Sequence, residues 1–167
     1  LEEIDSAVKF KLGFPMGIFE LADFTGMDVI HKATVEMHLR DKKVINPHPL
    51  VKKMFDEKKL GQKSGEGYYK YSDDKYERVS LSEELAAKCD PIQIVANILN
   101  NATWLVTNGA SDIEEIEKAA QLGLGLKKPL FETAKEIGIK KIVDELNKLA
   151  EEHGEFYKPD PLLVSMQ

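Results

Sequence analysis

The sequence is short of several things, and each shortage removes a class of protein. It has one cysteine, Cys89, in 167 residues, so no intrachain disulfide can staple it and a reducing compartment fits. Positive charge is not in excess. Its 23 Lys and Arg stand against 29 Asp and Glu, a formal net charge of -6. That balance argues against a general nucleic-acid binder, because neutralising phosphates takes a basic face; it leaves room for a local basic site for a small anion. No apolar run approaches the roughly 18–20 residues that cross a bilayer, and no secretory leader is visible. The expectation is a cytoplasmic protein with neither nucleic acid nor membrane as partner. What is present is 43% hydrophobic and 31% charged residues, enough at this length to build a real core.

The chain resembles itself. Sliding it by 112 positions lays Leu1–Met54 on Ile113–Met166 without a gap, with 15 identities over 54 positions, about five times chance. Ala7, Leu12 and Gly13 fall on Ala119, Leu124 and Gly125; Phe19, Glu20, Ala22 and Gly26 on Phe131, Glu132, Ala134 and Gly138; Pro47 and Pro49 on Pro159 and Pro161. Shared glycines and prolines at the breaks make an accident of two amphipathic stretches a poor explanation. The long apolar segment Ile92–Thr107 precedes the second copy, while its counterpart would lie before Leu1. The segment Phe55–Tyr71 follows the first copy, while its counterpart would lie beyond Gln167. This reads as a piece of a longer polypeptide, with a first module over residues 1–90, lacking its first helix and including a linker, and a second over 91–167, truncated at its end.

The punctuation predicts helices. Leu1, Ile4, Ala7, Val8 and Leu12 recur at helical spacing, and Gly13 stands where a left-handed cap is wanted. Ile18, Leu21, Ala22 and Phe24 suggest a second short apolar face, closed by Gly26. A third helix covers Val29–Leu39, before the break at Asn46-Pro47-His48-Pro49. Asp90-Pro91 reads as an N-cap with an N1 proline opening the helix Ile92–Thr107, whose Trp104 and Leu105 widen the apolar surface enough to suggest burial on more than one side. Ser111 and Glu114 have capping-box spacing. Gly61–Tyr71 suggests a tight loop with a short extended segment, and Ser72-Asp73-Asp74-Lys75 a polar linker or hairpin tip. The fold class is all-α.

Gly13-Phe14-Pro15-Met16-Gly17-Ile18-Phe19-Glu20-Leu21-Ala22-Asp23 and Gly26-Met27-Asp28 resemble the signature of the C-terminal domain of 3-hydroxyacyl-CoA dehydrogenases. That signature has a glycine, an aromatic, Pro-Met-Gly-Pro-Phe-Glu-Leu, then Asp and Gly-Leu-Asp. Glu2-Glu3-Ile4-Asp5 before it, and Gly61-Gln62-Lys63-Ser64-Gly65-Glu66-Gly67-Tyr68-Tyr69-Lys70-Tyr71 after it, match in order and spacing. Ile18 departs, standing where the family usually has a second proline. The resemblance implies two tandem modules like the 6-phosphogluconate dehydrogenase C-terminal domain, related by a pseudo-two-fold axis as in multifunctional fatty-acid oxidation enzymes. It implies NAD as cofactor, held mainly by a Rossmann domain outside this chain, and reversible oxidation of a 3-hydroxyacyl-CoA to the 3-oxoacyl-CoA in fatty-acid β-oxidation. In that family a His–Glu pair in the Rossmann domain moves the proton, helped by a Ser and by an Asn at the start of the helical module. None of these positions matches a residue here, so no catalytic residue is assigned and the chain alone is expected to be inactive.

On the substrate side the candidates are Pro15, Met16 and Gly17. A glycine permits close backbone approach, and an unbranched methionine adapts to a flexible thioester chain; a plain helix-to-helix turn with a core methionine explains them equally well. The second copy has Lys127, Lys128 and Pro129 there, so this turn is specialised only in the first. On the cofactor side the candidate is Lys63, a compact ammonium after a turn glycine, able to meet phosphate or ribose, and the resemblance gives the equivalent lysine a dinucleotide contact. Lys52, Lys53, Lys58 and Lys59 read as a solvated basic run. His31, His38, His48 and His153 lack metal-ligand spacing and read as packing or surface residues, so no metal is expected. Two function classes stand: the substrate-side and assembly half of a dehydrogenase, whose partners are the acyl-CoA, its own Rossmann domain and, through an exposed apolar groove, a second copy by self-association; or a helical dimerisation module without ligand contacts.

Overall fold

Glycines and prolines cut the chain into helices at nearly every place expected. The computed structural model describes residues 1–41, 44, 46–72 and 80–167; the tip expected at Asp73-Asp74-Lys75 lies outside them. Helix α1 (Glu2–Lys11) has Glu2, Glu3 and Asp5 in its first turn and Lys9 and Lys11 in its last, the arrangement that complements its dipole. Gly13 follows at φ +76°, a left-handed step that glycine takes without strain. Helices α2 (Ile18–Thr25) and α3 (Met27–Arg40) meet at Gly26. Helix α4 (Pro49–Asp56) starts with a proline at its first turn, and the Nδ1 of His48 accepts from the amide of Leu50 at 3.2 Å. After a 3-10 turn at Gln62–Ser64 and a four-residue helix α5 (Glu83–Ala86), which packs along α1, come α6 (Ile92–Thr107), α7 (Ile113–Leu124), α8 (Leu130–Ile137), α9 (Ile139–His153) and α10 (Pro161–Ser165). Among the described residues there is no strand, only isolated bridges from Glu66 to Gly61 and to Lys70.

The offset of 112 reappears in the helix bounds. Helices α2 and α8 are eight residues each and start and stop 112 apart; α3 and α9 start 112 apart, as do α4 and α10. The way the second helix of each half is held also recurs. The Asp5 carboxylate on α1 accepts from the amides of Phe19 and Glu20, both at 2.9 Å. The Glu117 carboxylate on α7 accepts from those of Leu130 and Phe131 at 2.6 and 2.7 Å. Both satisfy amides that a helix start leaves without internal partners.

One apolar core holds the halves together. Val95 and Leu99 of α6 meet Ile142 and Leu146 of α9, Leu163 of α10 and Ala134 of α8, and Val8 and Leu12 of α1 join the same cluster. Each fully buried aliphatic side chain of this kind stabilises by about 1.5–3 kcal/mol.

Four expectations need correction. The anticipated apolar face of α2 is turned outward at Leu21 and Phe24, which are 42% and 62% exposed, while Glu20 and Asp23 are buried. These two acids find amide and hydroxyl donors inside, a gain that outweighs exposing the two apolar side chains. Helix α6 is not buried all round: Trp104 and Leu105 face solvent. Two caps are shifted. Pro91 rather than Asp90 is the N-cap of α6, with Asp90 accepting from the Ile92 amide at 3.1 Å. Asp112 rather than Ser111 caps α7, accepting from the Glu115 amide at 2.8 Å.

Candidate functional site

The first half is organised around three buried carboxylates, Asp5, Glu20 and Asp23. Asp5 is buried under the start of α2, and besides the two amides it accepts from the Tyr69 hydroxyl at 2.9 Å. Burial raises its pKa above the usual carboxylate value, against the lowering effect of those donors. Gly17 sits so close that a Cβ there would stand 2.1 Å from the Asp5 Cγ. Its amide donates to Glu20 at 3.2 Å. This glycine is needed for packing whatever else the turn does.

Asp23 binds the loop that follows α4. One carboxylate oxygen accepts from the Tyr68 amide at 2.8 Å; the other accepts from the Tyr69 amide at 2.9 Å and the Tyr71 hydroxyl at 2.8 Å. Two glycines make the approach feasible. A Cβ on Gly67 would lie 2.1 Å from an Asp23 oxygen, and one on Gly61 would lie 2.2 Å from the Asp23 carbonyl. The Tyr68 ring closes over Phe19 at a centroid distance of 4.7 Å. Burial, and for Tyr69 the bond to Asp5, push both phenols up from their ordinary pKa. Both stay neutral at neutral pH, and the Tyr69 hydroxyl donates to Asp5.

This clasp sets the candidate residues. Lys63, in the 3-10 turn, is carried to the far end of α2. There its ammonium pairs with Asp28 at the start of α3. A Cβ on Gly26 would fall 2.5 Å from that ammonium. The hydrogen bond from Lys63 holds the Asp28 carboxyl below its usual pKa. The Lys63 side chain stays 45% exposed, so the pair remains open to an added anion.

Pro15, Met16 and Gly17 lie at the opposite end of the same helix. Eight residues at 1.5 Å rise separate the two ends by about 12 Å, so the substrate-side and cofactor-side candidates do not touch. Pro15 is exposed and Met16 half-buried. Pro15 also faces Gly125, whose added Cβ would come within 3.4 Å of the Pro15 Cγ, and Phe14 and Ile18 pack on the shared core. The turn therefore also seats the first half on the second.

The histidines have local partners. His31 stacks on Phe55 at 4.6 Å, His38 Nδ1 lies 2.6 Å from the Val44 carbonyl, and His153 is near Glu152 and Tyr157. Of the basic run, Lys52, Lys53 and Lys59 pair with Asp56, Glu57 and Glu66, and Lys58 lies over the Phe55 ring. Among the described residues no three His, Cys, Asp or Glu converge to hold a metal, and no helix is long and apolar enough to cross a membrane.

The family model described as 3-hydroxyacyl-CoA dehydrogenase, C-terminal domain, matches residues 1–71 and 93–167. The chain belongs to that family. Among curated members of the 3-hydroxyacyl-CoA dehydrogenases, it is similar to the mitochondrial hydroxyacyl-coenzyme A dehydrogenase of Sus scrofa, 42% identical over 72 residues, which are 42% of this chain and 23% of that protein. It is also similar to the probable 3-hydroxybutyryl-CoA dehydrogenase of Deinococcus radiodurans, 44% identical over 72 residues, 42% of this chain and 26% of that protein. The chain thus matches about a quarter of the length of these relatives. Two solved structures share the fold across its whole length. The 3-hydroxybutyryl-CoA dehydrogenase of Escherichia coli K12 aligns at a TM-score of 0.77 and 18% identity, covering 99% of this chain and 54% of that one. The dehydrogenase part of multifunctional enzyme 1 from Caenorhabditis elegans aligns at 0.67 and 20%, covering 100% and 42%.

Sequence reasoning did not single out Asp5, Glu20 and Asp23 as the organisers of the first half. One signal was available: an aspartate between Ile4 and Ala7-Val8 on an apolar stripe needs an interior partner. It also missed an open cleft of about 600 Å³ between the halves, lined by Lys11, Leu12, Cys89, Asp90, Ile137 and Lys141. There the Lys11 ammonium donates to the Cys89 carbonyl at 2.7 Å and Lys141 to Asp90 at 3.2 Å.

Proposed function

We propose that this chain is the substrate-side and assembly part of an NAD-dependent 3-hydroxyacyl-CoA dehydrogenase, acting with a Rossmann domain that carries the nucleotide and the proton-transfer pair. The observation that carries this reading is the clasp. Asp23, Gly61 and Gly67 hold the loop so that Lys63 stands partly exposed beside Asp28, in a chain matched by that family's domain model. We assign Lys63 to the dinucleotide, as a cation for its phosphate or ribose. Pro15 and Met16, with Gly17 shaping the turn, meet the acyl-CoA. The reaction is hydride transfer between NAD and the 3-hydroxyl of the acyl-CoA in fatty-acid β-oxidation, and its location is the cytoplasm. Residues 1–90 and 91–167 form the two modules, related by a pseudo-two-fold axis; the 112-residue offset of helix bounds, and of Asp5 and Glu117 as acceptors for the start of the next helix, supports this.

One observation favours the second reading, a helical dimerisation module without ligand contacts: the amides of Gly17, Phe19 and Glu20 are already bonded to side chains. The two readings separate in a whole dehydrogenase containing this chain. Lys63→Ala should raise KM for NADH while the melting temperature holds, because an exposed ion pair adds little stability. An unchanged KM for NADH would remove Lys63 from the cofactor site. Self-association, expected from the sequence, is tested by light scattering across a dilution series; a well-folded monomer at every concentration would remove it.

A further inference from the structure

The cleft between the halves is walled by four separate stretches of chain. Lys11 and Leu12 come from the end of α1, residues 87–91 from the connection into α6, Glu136 and Ile137 from the end of α8, and Lys141 from the first turn of α9. Its volume of about 600 Å³ falls within the range that takes small organic ligands. None of Pro15, Met16, Gly17 and Lys63 lines it. The charges of its wall do not cancel. Lys141 donates to Asp90 and Lys128 pairs with Glu136, so both carboxylates are already matched. Lys11 and Lys88 pair with no carboxylate among the described residues. Lys11 spends one of its donors on the Cys89 carbonyl, and Lys88 is exposed; an ammonium has three donors. Beside these two cations the wall is apolar: Leu12 is 5% exposed, Ile137 is half-buried, and Ala87 and Pro91 bring no polar side chain.

We propose that this cleft is a binding site for a small amphipathic monocarboxylate, a medium-chain fatty acid, whose carboxylate is taken by Lys11 and Lys88 and whose chain lies against Leu12 and Ile137. A carboxylate accepts charge-assisted bonds from both ammoniums, and the chain removes apolar surface from water. Asp90 and Glu136 in the same wall repel a more highly charged anion, which selects a single negative charge. An uncharged chain forgoes the two cations. Because the wall is drawn from both halves, the ligand ties the end of α1 to the joint between α8 and α9. A ligand that binds only the folded chain stabilises it, so occupancy of the cleft is read as a higher melting temperature.

The test titrates octanoate into the isotopically labelled chain, with octanamide and inorganic phosphate as comparisons. Saturable one-to-one binding of octanoate is expected, with amide shifts at Leu12, Lys88, Cys89 and Ile137 and a rise in melting temperature. Lys88→Gln, at an exposed position without an ion pair, should weaken octanoate at least about fivefold and leave the melting temperature of the free chain unchanged. Octanamide and phosphate should each bind at least about fivefold more weakly than octanoate. No saturable binding, shifts at the exposed Phe24 or Leu122 instead of the cleft, or octanoate binding indifferent to Lys88→Gln would each overturn the proposal. So would phosphate binding as tightly as octanoate, which would make the cleft a site for charge alone, or octanamide doing so, which would make it an apolar site.

Discussion

Replacing Asp23 by alanine should do more damage than its place on an eight-residue helix suggests. The carboxylate accepts two backbone amides, from Tyr68 and Tyr69, and the Tyr71 hydroxyl. Alanine removes this acceptor from all three. A buried donor left unsatisfied costs about 1–3 kcal/mol. Tyr68 and Tyr69 are only half-buried, so water can reach part of the gap and the lower end applies to each group. The sum is about 3 kcal/mol. For a chain of this size that lowers the melting temperature by about 6–12 °C. Asp23→Asn keeps one acceptor oxygen and should lose roughly half as much. The assay is thermal unfolding by circular dichroism, paired with hydrogen exchange at the Tyr68 and Tyr69 amides, which should lose protection before those of α6 and α9. A variant melting within about 1 °C of the parent, with both amides still protected, would refute the clasp.

Further expectations concern the same pocket and one neutral site. Asp5 titrates above its usual value, so the folded chain takes up that proton before the unfolded chain does. Its contribution to stability is therefore fully present at low pH and declines as pH rises from the model value of 3.8 through the raised folded value. The stability deficit of Asp5→Asn should accordingly shrink as pH rises above about 4, measured by paired melts; a deficit that grows with pH would contradict the raised pKa. Gly67→Ala drives a methyl into Asp23 and should cost about 3 kcal/mol. Gly123→Ala, inside α7 with nothing within 4 Å, should add about 0.5–1 kcal/mol. Equal melting temperatures for the two alanine variants would sink the packing argument.

Most of the helical framework could be read in advance because its breaks are glycines and prolines, which act locally. Gly26 and Gly138 end one helix and begin the next by their own backbone geometry. The orientation of α2 was not legible. Hydrophobicity turns Leu21 and Phe24 inward, but the partners that turn Asp23 inward lie 45 and 46 residues away in the chain. Sequence spacing carries no trace of that distance. Lys63 could be singled out by its loop, whereas its seat beside Asp28 depends on the clasp. The cleft at Cys89 draws on four separate segments, and α5, four residues long, is too short for periodicity to register.

The central claim is that this chain completes a dehydrogenase without carrying its chemistry, and a reconstitution assay tests it most directly. Oxidation of NADH with acetoacetyl-CoA is followed by absorbance, first with this chain alone, then with the family's nucleotide-binding half alone, then with both. Background rates are expected for each part and turnover for the mixture. Turnover by this chain alone, from a preparation free of contaminating enzyme, or a mixture no faster than its nucleotide-binding half, would contradict it.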